Sequence, residues 1–210
     1  MDVARFKKLP IMGILRAVEQ EAIEPLINTI VASGMETMEI AMNTANAACL
    51  IKKAVKFANN KLTVGAGTIL NLESLKAAQD AGATFVVMPT FVKEVALYCV
   101  KFKIPFFPGA LTPSEIHAAW CEGATMVKVF PAGIFGPAYF SYLKGPFPEI
   151  KLMAVGGVRQ DNISEYFAKG ASALAVGASI FDTNQIKSGN FQAIEKLLSG
   201  LVKKVKASVG

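Results

Sequence analysis

Met126-Val127-Lys128-Val129-Phe130-Pro131 sets one lysine among five apolar residues. The run is too short and too β-branched for a helix. It reads as a strand, with Val127 and Val129 on one face and Met126, Lys128 and Phe130 on the other. A strand apolar on both faces belongs to a parallel sheet covered by helices on both sides. A lysine inside such a strand is unusual. Desolvation disfavours its ammonium form, and a neutral amine in a pocket can attack a ketone to form a Schiff base. The alternative is a lysine at a strand end whose stem is buried and whose amine reaches water.

Outward from this stretch, strand-like and helix-like segments alternate. The strands are Ile11 to Leu15, Thr37 to Met42, Leu62 to Ala66, Phe85 to Met88, Pro105 to Pro108, Met126 to Phe130, Leu152 to Val155 and Leu174 to Val176. Helical patterns follow each in turn: Glu19 to Ser33, Ala45 to Ala58, Asn71 to Ala81, Val92 to Phe102, Pro113 to Glu122, Pro137 to Lys144, Asn162 to Lys169 and Phe191 to Lys206. Asn71 is a helix cap, and Thr112 with Pro113 and Glu115 has the form of a capping box. Gly34, Gly82, Gly123 and Gly170 each stand just past a helix, where the chain must turn through the left-handed region. They recur every 41–48 residues, two strand–helix units apart. Eight such units predict a (β/α)8 barrel rather than an open doubly wound sheet, in one domain spanning residues 1–210.

Bulk composition agrees. The 210 residues are 52% hydrophobic and 18% charged, with a mean hydropathy of +0.40, enough for a large core. No run approaches the ~20 apolar residues of a membrane span. Met1 to Pro10 lacks the apolar stretch and cleavage site of a signal peptide, so a cytoplasmic location is expected. Cys49, Cys99 and Cys121 have no metal or disulfide spacing and are expected to be buried, inert thiols. His117 is alone, which argues against a multi-histidine metal site. The net charge of +6 is partly carried by Lys203, Lys204 and Lys206. It favours an anionic small molecule without arguing for nucleic acid.

A barrel of this kind carries its active site at the C-terminal ends of the strands. Those ends present Arg16, then Glu39 with Asn43 and Thr44, then Gly65-Ala66-Gly67-Thr68. Pro89, Pro108-Gly109, Lys128, Gly156-Gly157 and Gly177-Ala178-Ser179 follow. Glu39 alternates with Thr37 and Ala41; if that face points inward, Glu39 points toward Lys128. It is then either a structural ion-pair partner or a carboxylate of raised pKa that moves protons beside a Schiff base. The turns at Gly156-Gly157 and Gly177-Ala178-Ser179 follow the last two strands, where barrels bind phosphate through backbone N–H groups. Gly65 to Thr68 lacks the third glycine of a dinucleotide loop and the Lys-Ser/Thr of a Walker loop. Thr68 therefore reads as a pocket hydroxyl.

The set Met38-Glu39-Ile40, Gly65-Ala66-Gly67-Thr68, Pro108-Gly109 with Thr112, Val127-Lys128-Val129-Phe130-Pro131 and Val155-Gly156-Gly157-Val158 resembles one family. It is that of the 2-keto-3-deoxy-6-phosphogluconate (KDPG) and 4-hydroxy-2-oxoglutarate (KHG) aldolases, class I pyruvate aldolases on a (β/α)8 barrel. The resemblance runs from about Lys8 to Ile180. It implies a Schiff-base lysine at Lys128 and a proton-shuttling Glu39. Substrate contacts are implied at Arg16, Thr68, Asn43, Thr44, Pro89 and Phe130, and a phosphate site at Gly156, Gly157, Gly177, Ala178 and Ser179. It also implies catalysis without metal or cofactor, and a homotrimer. The substrate would be a phosphorylated keto-deoxy sugar acid cleaved to pyruvate and glyceraldehyde 3-phosphate. Two alternatives remain: an aldolase for unphosphorylated hydroxyoxoglutarate, and a non-catalytic sugar-phosphate-binding barrel. Where phosphogluconate-type members often carry Leu-Arg-Thr, this chain has Met42-Asn43-Thr44, and an arginine ends Ile14-Leu15-Arg16 instead. That arrangement resembles the 2-dehydro-3-deoxy-6-phosphogalactonate branch, although Ala178 stands where that branch can carry serine.

Overall fold

A computed structural model describes residues 1–209. Nine strands form one parallel sheet: β1 (Ile11–Leu15), β2 (Thr37–Ala41), β3 (Thr63–Gly67), β4 (Val86–Val87), β5 (Phe106–Phe107), β6 (Gly109–Ala110), β7 (Val127–Val129), β8 (Leu152–Val155) and β9 (Ala173–Val176). β5 pairs with β4 and β6 pairs with β7, and only Pro108 separates β5 from β6. Proline has no N–H to donate, so the ladder breaks there. Its carbonyl still accepts the Lys128 N–H at 2.8 Å. The nine strands are thus eight passes with the fifth interrupted, and the barrel closes through Pro108. The expected fifth strand, Pro105 to Pro108, is corrected: the pass runs on to Ala110.

Among the described residues ten helices accompany the strands. The first is α1 (Val3–Lys8); α2 (Ile23–Ala32), α3 (Ala47–Ala58), α4 (Leu72–Asp80), α5 (Lys93–Lys101) and α6 (Pro113–Cys121) follow. After them come α7 (Ala138–Lys144), α8 (Ile163–Ala168), α9 (Thr183–Lys187) and α10 (Phe191–Val209). The Asn71 cap and the Thr112–Glu115 capping box are both formed. Gly34, Gly82, Gly123 and Gly170 have φ of +81°, +97°, +87° and +100°, as their places past helix ends require. The segment expected to be helical from Glu19 begins instead with a 3-10 turn at Gln20–Ala22.

Two layers of core result. The outer layer joins strands to helices and includes Met38, Ile40, Val127 and Val129. The inner layer fills the barrel with Met12, Phe85, Val87, Phe107, Met126, Met153 and Val155. Gly65 makes room here, since a Cβ on it would lie 2.4 Å from the Phe85 ring. Phe6 of α1 enters the same layer from the N-terminal ends of the strands and meets Phe107 edge-on at 5.9 Å. The charged sequence Val3–Lys8 hides this helix, because only Phe6 of its six residues is buried.

One cysteine expectation fails. Cys99 is buried, which pushes its thiol up to about 12, but Cys49 and Cys121 are exposed. Each falls outside the buried stripe of its helix, which is Leu50, Ile51 and Ala54 in α3 and Ile116 and Ala119 in α6. Among the described residues no helix is long and apolar enough to cross a membrane.

Candidate active site

The inward positions of the strands bring the chemistry together. Just before β7, Met126 belongs to the inner core, and Lys128 of β7 shares its face. The Lys128 backbone is pinned from both sides, by the Pro108 carbonyl and by pairing with Met153 of β8. Lys128 is only 6% exposed, so its amine does not snorkel to water. Its Nζ lies 5.1 Å from the centre of the Phe130 ring, two residues on along the same face.

Glu39 lies inward on β2, opposite in direction to Met38 and Ile40, and is 2% exposed. Gly67 of β3 is the reason it fits. A Cβ on Gly67 would stand 2.3 Å from Glu39 Oε1, so the bare backbone leaves the carboxylate its place. Glu39 Oε2 is buried without a hydrogen-bond partner. No ion pair among the described residues joins Glu39 to Lys128. Glu39 and Lys128 thus act on each other through the field and not through a direct ion pair.

Burial pushes the Glu39 pKa above the ordinary carboxylate range, against the opposing pull of Lys128 and Arg16. Burial also pulls the Lys128 pKa below the ordinary lysine range; Glu39 opposes this and Arg16 adds to it. Each group's charged form is disfavoured, and each lies within the other's field. An amine whose charged form is disfavoured by burial, within the field of a buried carboxyl, can form an imine and move a proton beside it.

Arg16 follows β1 on the inward register of Met12 and Ile14, and it is exposed at the barrel mouth. One of its terminal N–H groups donates to Thr68 Oγ1 at 3.3 Å. Arg16 and Thr68 are thus joined, and the Arg16 charge acts on both Glu39 and Lys128. Asn43 is exposed just past β2. Thr44 is buried, and its hydroxyl oxygen accepts the Ala17 N–H at 3.2 Å. Pro89 is half-buried; a Cβ on Gly109 would stand 2.1 Å from its carbonyl oxygen, so the two loops touch backbone to backbone.

The two glycine turns also meet. Gly156 and Gly157 have φ of +82° and +84° after β8, and Ser179 Oγ reaches the Val158 carbonyl at 3.5 Å. Gly177 opens the turn that carries Ala178 and Ser179, both exposed. Gly133, which the sequence reading did not single out, completes this corner. Its N–H donates to the Gly156 carbonyl at 2.8 Å, and a Cβ on Gly157 would stand 2.7 Å from its Cα. The signal for it was a glycine two residues beyond Phe130-Pro131. Ala17, with φ of +52°, gave no signal, since alanine does not announce a left-handed backbone.

The family model for KDPG and KHG aldolases matches residues 3–197. The chain belongs to the KDPG and KHG aldolase family. It is therefore a lyase of the class I aldolase type. It is 31% identical over 190 residues to the 2-dehydro-3-deoxy-phosphogluconate aldolase of Pseudomonas aeruginosa, covering 90% of this chain and 84% of that one. It is 30% identical over 179 residues to the 2-dehydro-3-deoxy-6-phosphogalactonate aldolase of Escherichia coli, covering 85% and 87%. Among solved structures, a KDPG aldolase from Legionella pneumophila superposes with a TM-score of 0.88 at 25% identity, over 96% of this chain and 98% of that one. That protein was captured with pyruvate as a covalent carbinolamine intermediate. The (β/α)8 barrel expected from the alternating pattern is the fold of this aldolase family.

Proposed function

We propose that this aldolase reversibly cleaves a 2-keto-3-deoxy-6-phospho sugar acid to pyruvate and glyceraldehyde 3-phosphate, with Lys128 as the Schiff-base residue and Glu39 as the proton carrier. One observation carries the reading: a buried amine and a buried, unpartnered carboxylate face the same barrel mouth.

Lys128 Nζ adds to the C2 ketone to give a carbinolamine, which loses water to become a protonated imine. The C3–C4 bond then breaks and its electron pair enters the imine, leaving an enamine. Glu39 takes the C4 hydroxyl proton as the aldehyde forms, and returns a proton to C3 of the enamine. Water adds back to the imine, which frees pyruvate and regenerates the amine. Arg16, with Thr68, pairs with the keto-acid carboxylate. The corner formed by Gly156, Gly157, Gly177, Ala178 and Ser179 takes the phosphate through backbone N–H groups and the Ser179 hydroxyl. The scheme needs no metal or cofactor. Phosphorylated substrates and products are retained inside cells, which supports a cytoplasmic site of action. The family resemblance carries a homotrimer.

An aldol-cleavage assay tests the substrate. KDPG, its C4 epimer and hydroxyoxoglutarate are offered in parallel while pyruvate release is followed. At least one phosphorylated epimer should turn over with a kcat/KM at least about tenfold above that of hydroxyoxoglutarate. Turnover of hydroxyoxoglutarate alone would replace the reading with the unphosphorylated aldolase. No pyruvate from any of the three would leave a binding protein.

A further inference from the structure

We propose that Thr44 is a positioning residue: it holds Arg16 over the barrel mouth by gripping the next peptide, at Ala17. The inference rests on the reading of Arg16 as the carboxylate partner and gives Thr44, implied above as a substrate contact, the role of holding the backbone beside it.

Arg16 and Ala17 are both exposed, between buried Leu15 and buried Val18. Side-chain packing therefore fixes the two ends of this short passage and not its middle. On its outer side Ala17 borders a cleft of about 230 Å³, lined among others by Glu19, Ala22, Ile186, Lys187 and Phe191. The Lys187–Glu19 pair across that cleft is long, at 3.7 Å, and exposed, so it holds the loop weakly. On the inner side stands Thr44, 7% exposed, whose Oγ1 accepts the Ala17 N–H at 3.2 Å.

Thr44 is itself rigidly placed. Its N–H donates to the Ala41 carbonyl at 2.9 Å, and its own carbonyl accepts the Ala47 N–H at 3.2 Å. Those bonds tie it to the end of β2 and the start of α3. Ala17 meanwhile has φ of +52°, a left-handed conformation that a residue with a Cβ keeps only where its surroundings impose it. Thr68, the other end of the Arg16 contact, is also left-handed, with φ of +56°. The arginine thus spans two strained backbone points, and the Thr44 hydroxyl is the fixed group holding the nearer one. Because Ala17 is exposed, losing that bond exposes its N–H to water and lets the loop relax. Arg16 geometry then suffers while the barrel does not.

The test compares Thr44→Val, Thr44→Ser and Arg16→Ala, alone and with Thr44→Val added to Arg16→Ala. For each, pyruvate dependence is read from borohydride trapping, and KM and kcat from keto-acid cleavage. Thr44→Val should raise the half-saturating pyruvate concentration and KM about tenfold, with kcat within a few-fold and a melting temperature near wild type. Thr44→Ser, which keeps the hydroxyl, should restore both. Thr44→Val should add less than twofold in the Arg16→Ala background. If Thr44→Val does not fold, Thr44→Ala repeats the comparison without new apolar bulk. A Thr44→Val enzyme within twofold of wild type, or one whose tenfold loss persists in Arg16→Ala, overturns the proposal while leaving Arg16 as the carboxylate partner. An Arg16→Ala enzyme with unchanged KM overturns the carboxylate reading itself, and the proposal with it.

Discussion

The exchange of one side chain's solvation for another's chemistry is clearest at Glu39. Burial holds its pKa above the ordinary carboxylate range, so the folded protein binds that proton more tightly than the unfolded chain does. Stability is then lost as pH rises from the unfolded carboxylate pKa through the raised folded value, and it stays lost above that. Glu39→Gln carries no charge at any pH and escapes this cost. The variant should melt above wild type at pH 7, with the gap closing as pH falls toward about 4. Activity should move the other way. Removing a positioned base lowers kcat by roughly 10²–10⁴-fold, with KM within a few-fold of wild type. Calorimetry across pH and steady-state kinetics on one preparation check both. A variant that changes only KM would make Glu39 a binding residue.

At the scale of elements, the helix that the sequence concealed supports the site from below. α1 contributes a single buried side chain, Phe6, to the barrel interior, under the layer from which Lys128 and Glu39 rise. Truncating a buried phenylalanine typically costs about 3–5 kcal/mol. For a chain of this size, that corresponds to a fall in melting temperature of roughly 6–20 °C. Phe6→Ala should show such a fall in thermal unfolding while keeping kcat within a few-fold at 25 °C, since Phe6 enters from the end opposite the mouth. A loss of activity without loss of stability would mean that α1 shapes the site directly. Elements with a periodic apolar pattern were legible: the capped helices α4 and α6 and the strands β1, β2 and β8 begin and end within a residue or two of expectation. Val3–Lys8 was not, because one buried residue in six makes no period. Nor was the break between β5 and β6, because the run through Pro108 looks continuous until both neighbours' hydrogen bonds are assigned.

For the whole molecule, the parallel order of eight passes carries the argument further than any single motif. It sends every strand's C-terminal end to one mouth, and so the isolated residues Arg16, Glu39, Thr68 and Lys128 could be placed together before any contact was known. The facing direction of Glu39 and the depth of Lys128 were left open by the sequence, since alternation defines two faces without saying which is inside. The inner packing of Phe85 against Gly65, and of Glu39 against Gly67, decides it. The roles of Thr44 and Gly133 were out of reach for a different reason. Each meets another loop's backbone, Thr44 through its hydroxyl 27 residues away and Gly133 through its N–H 23 residues away, and nothing in local composition records such a meeting.

Lys128 is the amine proposed to take the ketone. Wild type and Lys128→Met are incubated with pyruvate and borohydride, digested and read by peptide mass spectrometry. The predicted result is a reduced pyruvate adduct on the wild-type peptide carrying Lys128. Its rate of formation should rise with pH through a midpoint below the ordinary lysine value of 10.5; Lys128→Met should give no adduct and no turnover. An adduct on another lysine, or turnover surviving in Lys128→Met, would contradict it.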